Sequence, residues 1–335
     1  MTYKTLKVDV DSDGIALVTI DLPGKSMNVW DADLMEEFAK WVDSFVADDK
    51  IKGAVITSGK ASGFLAGADL NMLGGGGVGS GAPATKKDQF EATFTLNRVL
   101  RKLETGGHPA KKLQNGEVAA KPVAVAVNGL ALGGGLELVL ACHHRVVADN
   151  PKIQLGVPEV QVGLLPGAGG TQRLPRLAGL QNAAMMATQG KPIDPATAKA
   201  QGIIQEVVPA DETVAKAKEW VKANPKATQP WDKKGFKFPG GGGAMDPRSA
   251  QFFMAANAMA QRETNHNYPA VQYILSCLYE GSIVPMDTAI RIESKYFLKL
   301  LSSPQARNMI RTLFINKQAA EKGEQRPKDV PPTVL

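Results

Sequence analysis

Residues 5–10 (TLKVDV) and 14–20 (GIALVTI) alternate apolar and polar positions on either side of Asp11-Ser12-Asp13-Gly14, which predicts a β-hairpin. The period then lengthens. Leu34, Phe38, Trp41, Val42 and Phe45 recur at helical spacing and predict one buried face of a helix over 31–48, with Asp31 placed to cap it. A β-branched run at 53–58 (GAVITS) comes next. The same order returns as 122–127 (PVAVAV), a glycine-rich turn, an apolar helix over 134–142 and a strand at 145–148 (RVVA). Short strands alternating with helices predict a layered α/β core. The recurrence is one of pattern and not of residues, so no sequence repeat is inferred.

From about residue 247 the pattern is helical only, with helices predicted at 247–262, 269–281, 285–301 and 304–321. Pro225, Pro230, Pro239 and the run Gly240 to Gly243 mark a boundary before it. The expected division is a core over 1–223, a Pro/Gly-rich linker over 224–246, a helical extension over 247–321 and a polar tail over 322–335. The run Gly74 to Gly81 (GGGGVGSG) reads as a flexible loop, because glycine loses the most entropy on ordering. Residues 106–120 (GGHPAKKLQNGEVAA) read as a polar surface loop.

Composition narrows the class. With 335 residues, 44% of them hydrophobic, the chain can bury a core without disulfide or metal staples, and it is neither collagen-like nor disordered. The net charge of +6 is spread along the chain; it suits a protein that handles an anionic small molecule and equally an ordinary surface. Aromatics are 6% and no basic cluster interleaves with them, so no nucleic-acid partner is expected. No apolar run reaches the ~18 residues of a membrane span. Cys142 and Cys277 are too few and too far apart for a disulfide framework and are expected as reduced thiols. With no signal-like stretch in MTYKTLKVDVDSDG, a cytoplasmic protein is expected.

Three patches carry candidate chemistry. Phe64-Leu65-Ala66-Gly67-Ala68-Asp69-Leu70 lies after a strand and enters a short helix, either as a tight turn or as a place where unpaired N–H groups meet a ligand. In Asn128 to Leu138, Gly133-Gly134-Gly135 open an apolar helix whose free N–H groups and dipole make an anion hole. This patch lacks the G-x-G-x-x-G of a dinucleotide fold, and no GxxxxGK[ST] occurs in the chain, which argues against a phosphate loop. Glu137 lies among apolar neighbours in that helix, as a first-turn charge facing the dipole or as a group with a task. Glu159, after Pro158 in the apolar stretch Leu155 to Arg173, is the second such carboxylate. Facing one pocket, the two would have their proton affinities pushed apart, giving an acid and a base. Cys142-His143-His144 lacks a third ligand and is not read as a metal site or nucleophile. His108 and His266 are expected in solvent, and Trp41, Trp220 and Trp231 as core or surface fillers.

Ala66-Gly67-Ala68-Asp69, Gly133 to Leu138, Pro158-Glu159 and Pro166-Gly167-Ala168-Gly169-Gly170-Thr171-Gln172-Arg173 together resemble the enoyl-CoA hydratase (crotonase) family, over about residues 5–222. The helical part, with Tyr268-Pro269-Ala270 and the run to Phe314, resembles the region after the hydratase in multifunctional fatty-acid oxidation α-subunits. In those a 3-hydroxyacyl-CoA dehydrogenase domain comes next, so the chain is expected to be the N-terminal portion of such a protein. The resemblance implies a crotonase (ClpP-like) spiral of ββα units, an α/β fold, with an all-helical C-terminal extension. The extra helices would take the place of the trimer contacts of stand-alone members. It implies hydration of a trans-2-enoyl-CoA. The Ala68 and Gly134 N–H groups would form the oxyanion hole, Glu137 would be the base that activates water, and Glu159 the acid that protonates C2. Gly24, Lys25, Ala66, Gly67, Asp69, Leu70, Gly133, Pro158 and Gly167 would line the substrate, with the Gly167 N–H on the attacking oxygen. CoA enters as the substrate thioester; no prosthetic group and no metal are implied. A thiolase subunit, or the dehydrogenase domain, is the partner implied. Members that only isomerise a double bond tend to keep a single acid at the place of Glu159. The alternatives are therefore Δ3-Δ2 isomerisation or another crotonase-type reaction, and a fragment that serves chiefly as a docking surface. The loop 106–120 and the run 74–81 bear on acyl-chain preference.

Overall fold

The computed structural model describes residues 3–61, 63–74 and 85–323; beyond Gly74, the predicted loop over 74–81 lies outside them. β1 (Leu6–Val10) and β2 (Ile15–Ile20) form the antiparallel hairpin, with Leu6 opposite Ile20. α1 (Ala32–Ala47) is capped by Asp31, whose side chain accepts from the Leu34 N–H at 3.0 Å. It buries Leu34, Phe38, Trp41, Val42 and Phe45, the five positions that the spacing selects.

The next three units share one plan. β3 (Gly53–Ser58) and β4 (Gly63–Leu65) enter the short α2 (Leu70–Gly74). After α3 (Lys86–Thr93), α4 (Thr95–Thr105) and α5 (Ala110–Gln114), β5 (Val123–Val127) and β6 (Leu130–Leu132) enter α6 (Gly134–Ala141). β7 (His144–Ala148) and β8 (Leu155–Gly156) enter a 3-10 helix over Pro158–Val162. The first strand of each unit joins a six-stranded sheet, β1-β2-β3-β5-β7-β9, whose last strand is β9 (Glu206–Val208), and the second joins a three-stranded sheet, β4-β6-β8. Beyond the hairpin every strand pairing is parallel. The chain is thus a spiral of ββα units. β5 is buried at all five positions, as a central strand covered on both faces must be. The 106–120 segment is not a plain surface loop: α5 sits inside it with Leu113 buried, and Ala120 bridges to Ala227.

α7 (Gly170–Ala178), α8 (Leu180–Gln189) and α9 (Pro195–Ala200) lead to β9 (Glu206–Val208), and α10 (Thr213–Ala223) packs Ala217 and Val221 over Val55, Ala124 and Val146. The segment after it is pinned to the core. Gln229 donates to the carbonyls of Ala141 and Cys142, Trp231 is buried, and Asp232 takes both Arg101 Nη groups at 2.6 Å. Of the four helices predicted beyond it, α11 (Pro247–Thr264), α12 (Pro269–Ser282) and α13 (Met286–Leu301) are continuous. The fourth is divided into α14 (Pro304–Met309), a wider π-helical segment over Ile310–Asn316 and α15 (Lys317–Glu321). Phe253, Ile274, Leu278, Leu300 and Ile310 of these helices share one hydrophobic core with Leu136, Leu140 and Leu165. Cys142 and Cys277 are buried free thiols. Among the described residues no helix is long and apolar enough to cross a membrane.

Candidate active site

Each strand of the small sheet ends at a candidate group, so its parallel order brings the three patches together at one edge. β4 ends at Leu65 and gives way to Ala66-Gly67-Ala68, β6 ends at Leu132 before Gly133-Gly134, and β8 ends at Gly156 before Pro158-Glu159. The Gly133 N–H donates to the Gly156 carbonyl at 2.8 Å, which ties the second turn to the third. Trp30 ties the first to the second. Its backbone N–H donates to Gly67 O at 2.8 Å, its carbonyl accepts from Asp69 N at 3.1 Å, and its indole Nε1 donates to Gly134 O at 3.0 Å. The N–H groups of Ala68 and Gly134 have no acceptor among the described residues. Two donors fixed by the backbone and left without a partner are what a developing oxyanion needs.

Glycine is required here for two reasons. Gly133 has φ +53°, and a Cβ on it would lie 2.8 Å from Glu159 Oε1. A Cβ on Gly135 would lie 1.9 Å from the Leu65 carbonyl oxygen, a backbone atom that cannot swing away. Gly135→Ala is therefore expected to push β4 from α6 and destabilise the chain by about 1–3 kcal/mol or more. A melting temperature equal to that of the wild type would contradict this packing.

Glu137 and Glu159 face the same place but are held differently. Glu137, 2% exposed in the first turn of α6, accepts through Oε1 from the N–H groups of Ala168 and Gly170, both at 2.7 Å. Those N–H groups stand at the N-terminus of α7, where the helix dipole favours a negative charge. Its Oε2 lies on the side of Gly134. Glu159 Oε2 is buried with no hydrogen-bond partner among the described residues. Burial raises both carboxyls: Glu159 to about 8, and Glu137 well above the usual range, with the neighbouring Glu159 and Glu293 adding to the rise. The donors decide which of the pair is ionised. Two N–H donors favour the charged form of Glu137, while Oε2 of Glu159 has no donor among the described residues to favour its charge.

The other candidates take their places around this centre. Pro158 starts the 3-10 helix that carries Glu159. The Gly167 carbonyl accepts from Asn97 Nδ2 at 2.8 Å, and a Cβ on Gly167 would strike the Phe297 ring at 2.7 Å. Lys25, just after Gly24, pairs with Asp31 at 2.9 Å and reaches Asp69 at 3.6 Å, which sets the first loop beside Asp69-Leu70. His143 is no metal ligand: its Nδ1 accepts from Val123 N and its Nε2 meets Glu104 O, and burial lowers it to about 4. Among the described residues no cluster of His, Cys, Asp and Glu could hold a metal ion.

Sequence reasoning missed four contributors: Trp30, Asn97, Arg173 as a clamp, and Glu293. Arg173 Nη1 donates to Ala168 O at 2.7 Å, while its Nε and Nη2 meet the two oxygens of Glu104 at 2.7 and 2.9 Å. Glu293 lies on α13, fully buried, and accepts from Gly169 N and Thr171 N. A signal existed for it. Met286, Ala289, Ile290 and Leu300 set the buried face of α13 at three- and four-residue steps, and Glu293 falls in that register.

The family described as enoyl-CoA hydratase/isomerase matches residues 11–230. The chain is 36% identical over 336 residues to a fatty acid oxidation complex subunit alpha of Shewanella amazonensis, covering 99% of this chain and 44% of that protein. It spans under half the length of the curated relatives it matches. Among solved structures it resembles an enoyl-CoA hydratase of Mycobacterium avium subsp. paratuberculosis, with TM-score 0.60, 21% identity, and coverage of 94% of this chain and 98% of that one. It equally resembles the human mitochondrial delta3-delta2-enoyl-CoA isomerase, with TM-score 0.62, 19% identity, and coverage of 95% and 100%. Both structural likenesses are of fold.

Proposed function

This chain belongs to the enoyl-CoA hydratase/isomerase family, and from that premise we propose that it adds water across the double bond of a trans-2-enoyl-CoA to give 3-hydroxyacyl-CoA. The observation that carries the reading is the unlike holding of two buried carboxyls beside two acceptor-free N–H groups. The thioester oxygen accepts from the Ala68 and Gly134 N–H groups, which stabilise the charge that develops as the carbonyl becomes an enolate. A preorganised donor of this kind contributes about 3–4 kcal/mol. Ionised Glu137 takes a proton from water as its oxygen bonds to C3. Protonated Glu159 gives its proton to C2 as the enolate collapses. In sum one O–H bond of water and the C2=C3 π bond break and one C–O and one C–H bond form, while the carboxyl O–H bond is lost from Glu159 and gained by Glu137. Glu137 ends protonated and Glu159 ionised, so a proton passes back between them before the next cycle.

Isomerisation of a 3-enoyl-CoA is a second reading: Glu159 in its ionised form, with Oε2 free of any hydrogen-bond partner among the described residues, would take a proton from C2 and return it to C4. We assign the catalytic core to 1–223 and the helical extension to 247–321, joined through 224–246. The product is a secondary alcohol, so a 3-hydroxyacyl-CoA dehydrogenase region and then a thiolase subunit are the partners this reading implies, in the cytoplasm, with CoA entering only as substrate.

The test is the fall in conjugated-enoyl absorbance when crotonyl-CoA or longer 2-enoyl-CoA thioesters are added. The wild type is expected to turn over, and silence at every chain length would end the hydratase reading. Glu137→Ala is expected to lose hydration by about 10²–10⁴-fold. If that variant keeps 3-enoyl-CoA isomerisation at the wild-type rate, isomerisation runs on Glu159 alone.

A further inference from the structure

Four successive backbone N–H groups at the start of α7 are shared alternately between two carboxylates. Ala168 and Gly170 donate to Glu137 Oε1. Gly169 donates to Glu293 Oε1 at 2.6 Å, and Thr171 donates to Glu293 Oε2 through N at 3.0 Å and through Oγ1 at 2.6 Å. Glu137 comes from the core and Glu293 from α13 in the helical extension, so the turn is clamped between the two parts of the chain. The clamp is reinforced from outside. Asn97 Nδ2 reaches Gly167 O at 2.8 Å, Ser294 Oγ at 3.1 Å and Glu293 Oε1 at 3.3 Å.

A helix that merely covered the core would place an apolar residue at this position, as α13 does with Met286, Ala289, Ile290 and Leu300. Burying a carboxylate instead is costly unless donors meet it, and here three strong ones do. We propose that Glu293 is a positioning residue for the hydration, holding the Gly169–Thr171 backbone so that the Ala168 and Gly170 N–H groups meet the Glu137 carboxylate. The proposal rests on the hydratase reading. It makes the helical extension part of the active site, not a cover added to it.

Glu293 also acts through its charge. The ionisable groups around it are Glu137 and Glu159 of the core, Arg173 of α7 and the Cys277 thiol of α12. Burial raises Glu293 itself to about 7, against the pull of its hydrogen-bond donors and of Arg173. In its ionised form it repels charge on Glu137 and so favours a proton on the Glu137–Glu159 pair.

Glu293→Gln tests both effects, because the amide keeps the shape, removes the charge and offers one acceptor in place of two. Hydration of crotonyl-CoA is expected to lose about tenfold or more in kcat, with KM within about threefold of the wild type. The titration of the remaining buried carboxyls, followed by 13C NMR of glutamate-labelled protein without substrate, is expected to move down by about one pH unit. A wild-type kcat together with an unmoved titration overturns the proposal. If this variant does not fold, Thr171→Val replaces it, since the change removes one donor to Glu293 and none to Glu137. In it Glu293 is expected to titrate higher and the Glu137–Glu159 pair lower, with a smaller loss in kcat, and wild-type values for both overturn the proposal. Failure of the wild type to hydrate any 2-enoyl-CoA would end the hydratase reading and the kcat arm with it, while the titration, which needs no turnover, would still decide whether Glu293 holds and biases the buried pair.

Discussion

Glu159→Gln is expected to slow hydration by about 10²–10⁴-fold while leaving thioester binding nearly intact. The amide has the volume of the acid, but it has no carboxyl proton to give to C2. Burial without a partner for Oε2 raises the Glu159 carboxyl to about 8, so the acid is loaded at neutral pH and empties above that. The wild-type rate should therefore decline as pH rises through about 8. The same shift has an opposite reading in stability. A carboxyl whose folded pKa lies above its ordinary 4.5 binds its proton more tightly when folded, so its favourable contribution is complete below 4.5 and is lost between 4.5 and about 8. At pH 9 the wild type carries a buried charge that the Gln variant lacks. The inactive variant should then melt above the wild type at pH 9, and closer to it at pH 5. Retained activity, or a variant that melts below the wild type at pH 9, would contradict the role.

Arg173→Met is expected to cost about 3–5 kcal/mol of stability. Arg173 and Glu104 are both without exposed surface and face each other through two parallel hydrogen bonds. Removing the cation leaves the Glu104 carboxylate buried with Arg101 Nη1 at 3.4 Å as its nearest compensation, and Arg101 is already committed to Asp232. The loss is mostly the uncompensated charge. The double variant Glu104→Gln with Arg173→Met should therefore recover much of it. Denaturant unfolding of the two singles and the double decides this. Additive losses would mean that the pair is not coupled. The Met variant should also lower kcat, because Arg173 holds the carbonyl of Ala168, whose N–H serves Glu137.

The legible parts of the sequence are those where one residue type breaks a simple pattern. Glu137 and Glu159 stand out because nearly every neighbour is apolar, and the glycine turns because three glycines between a strand and a helix have few uses. The hairpin, α1 and the central strands come from period alone. The small sheet does not, because β4 and β6 have three residues each and β8 has two, too short for any alternation to register. Glu293 escapes because Ser294 and Lys295 come directly after it, and a charge beside polar residues on an amphipathic helix draws no notice. Its burial is set by the face α13 presents to the turn before α7, a tertiary fact. Trp30 carries no local signal, since its task is to donate to a carbonyl 104 positions away. The break in the last predicted helix is equally silent: Ile310, Leu313 and Phe314 keep helical spacing, and only the wider hydrogen bonding distinguishes 310–316.

The small sheet has one more consequence. Parallel neighbours in a sheet stand ~4.8 Å apart, fixed by main-chain hydrogen bonds and not by side chains. Because β4, β6 and β8 each lead into one of the candidate turns, the spacing of those turns is inherited from that pitch. No single amino-acid exchange can delete a main-chain N–H at Ala68 or Gly134 short of proline. On the proposed reading the two oxyanion donors are therefore fixed by the backbone, whereas Glu137 and Glu159 are side chains that a single exchange can remove.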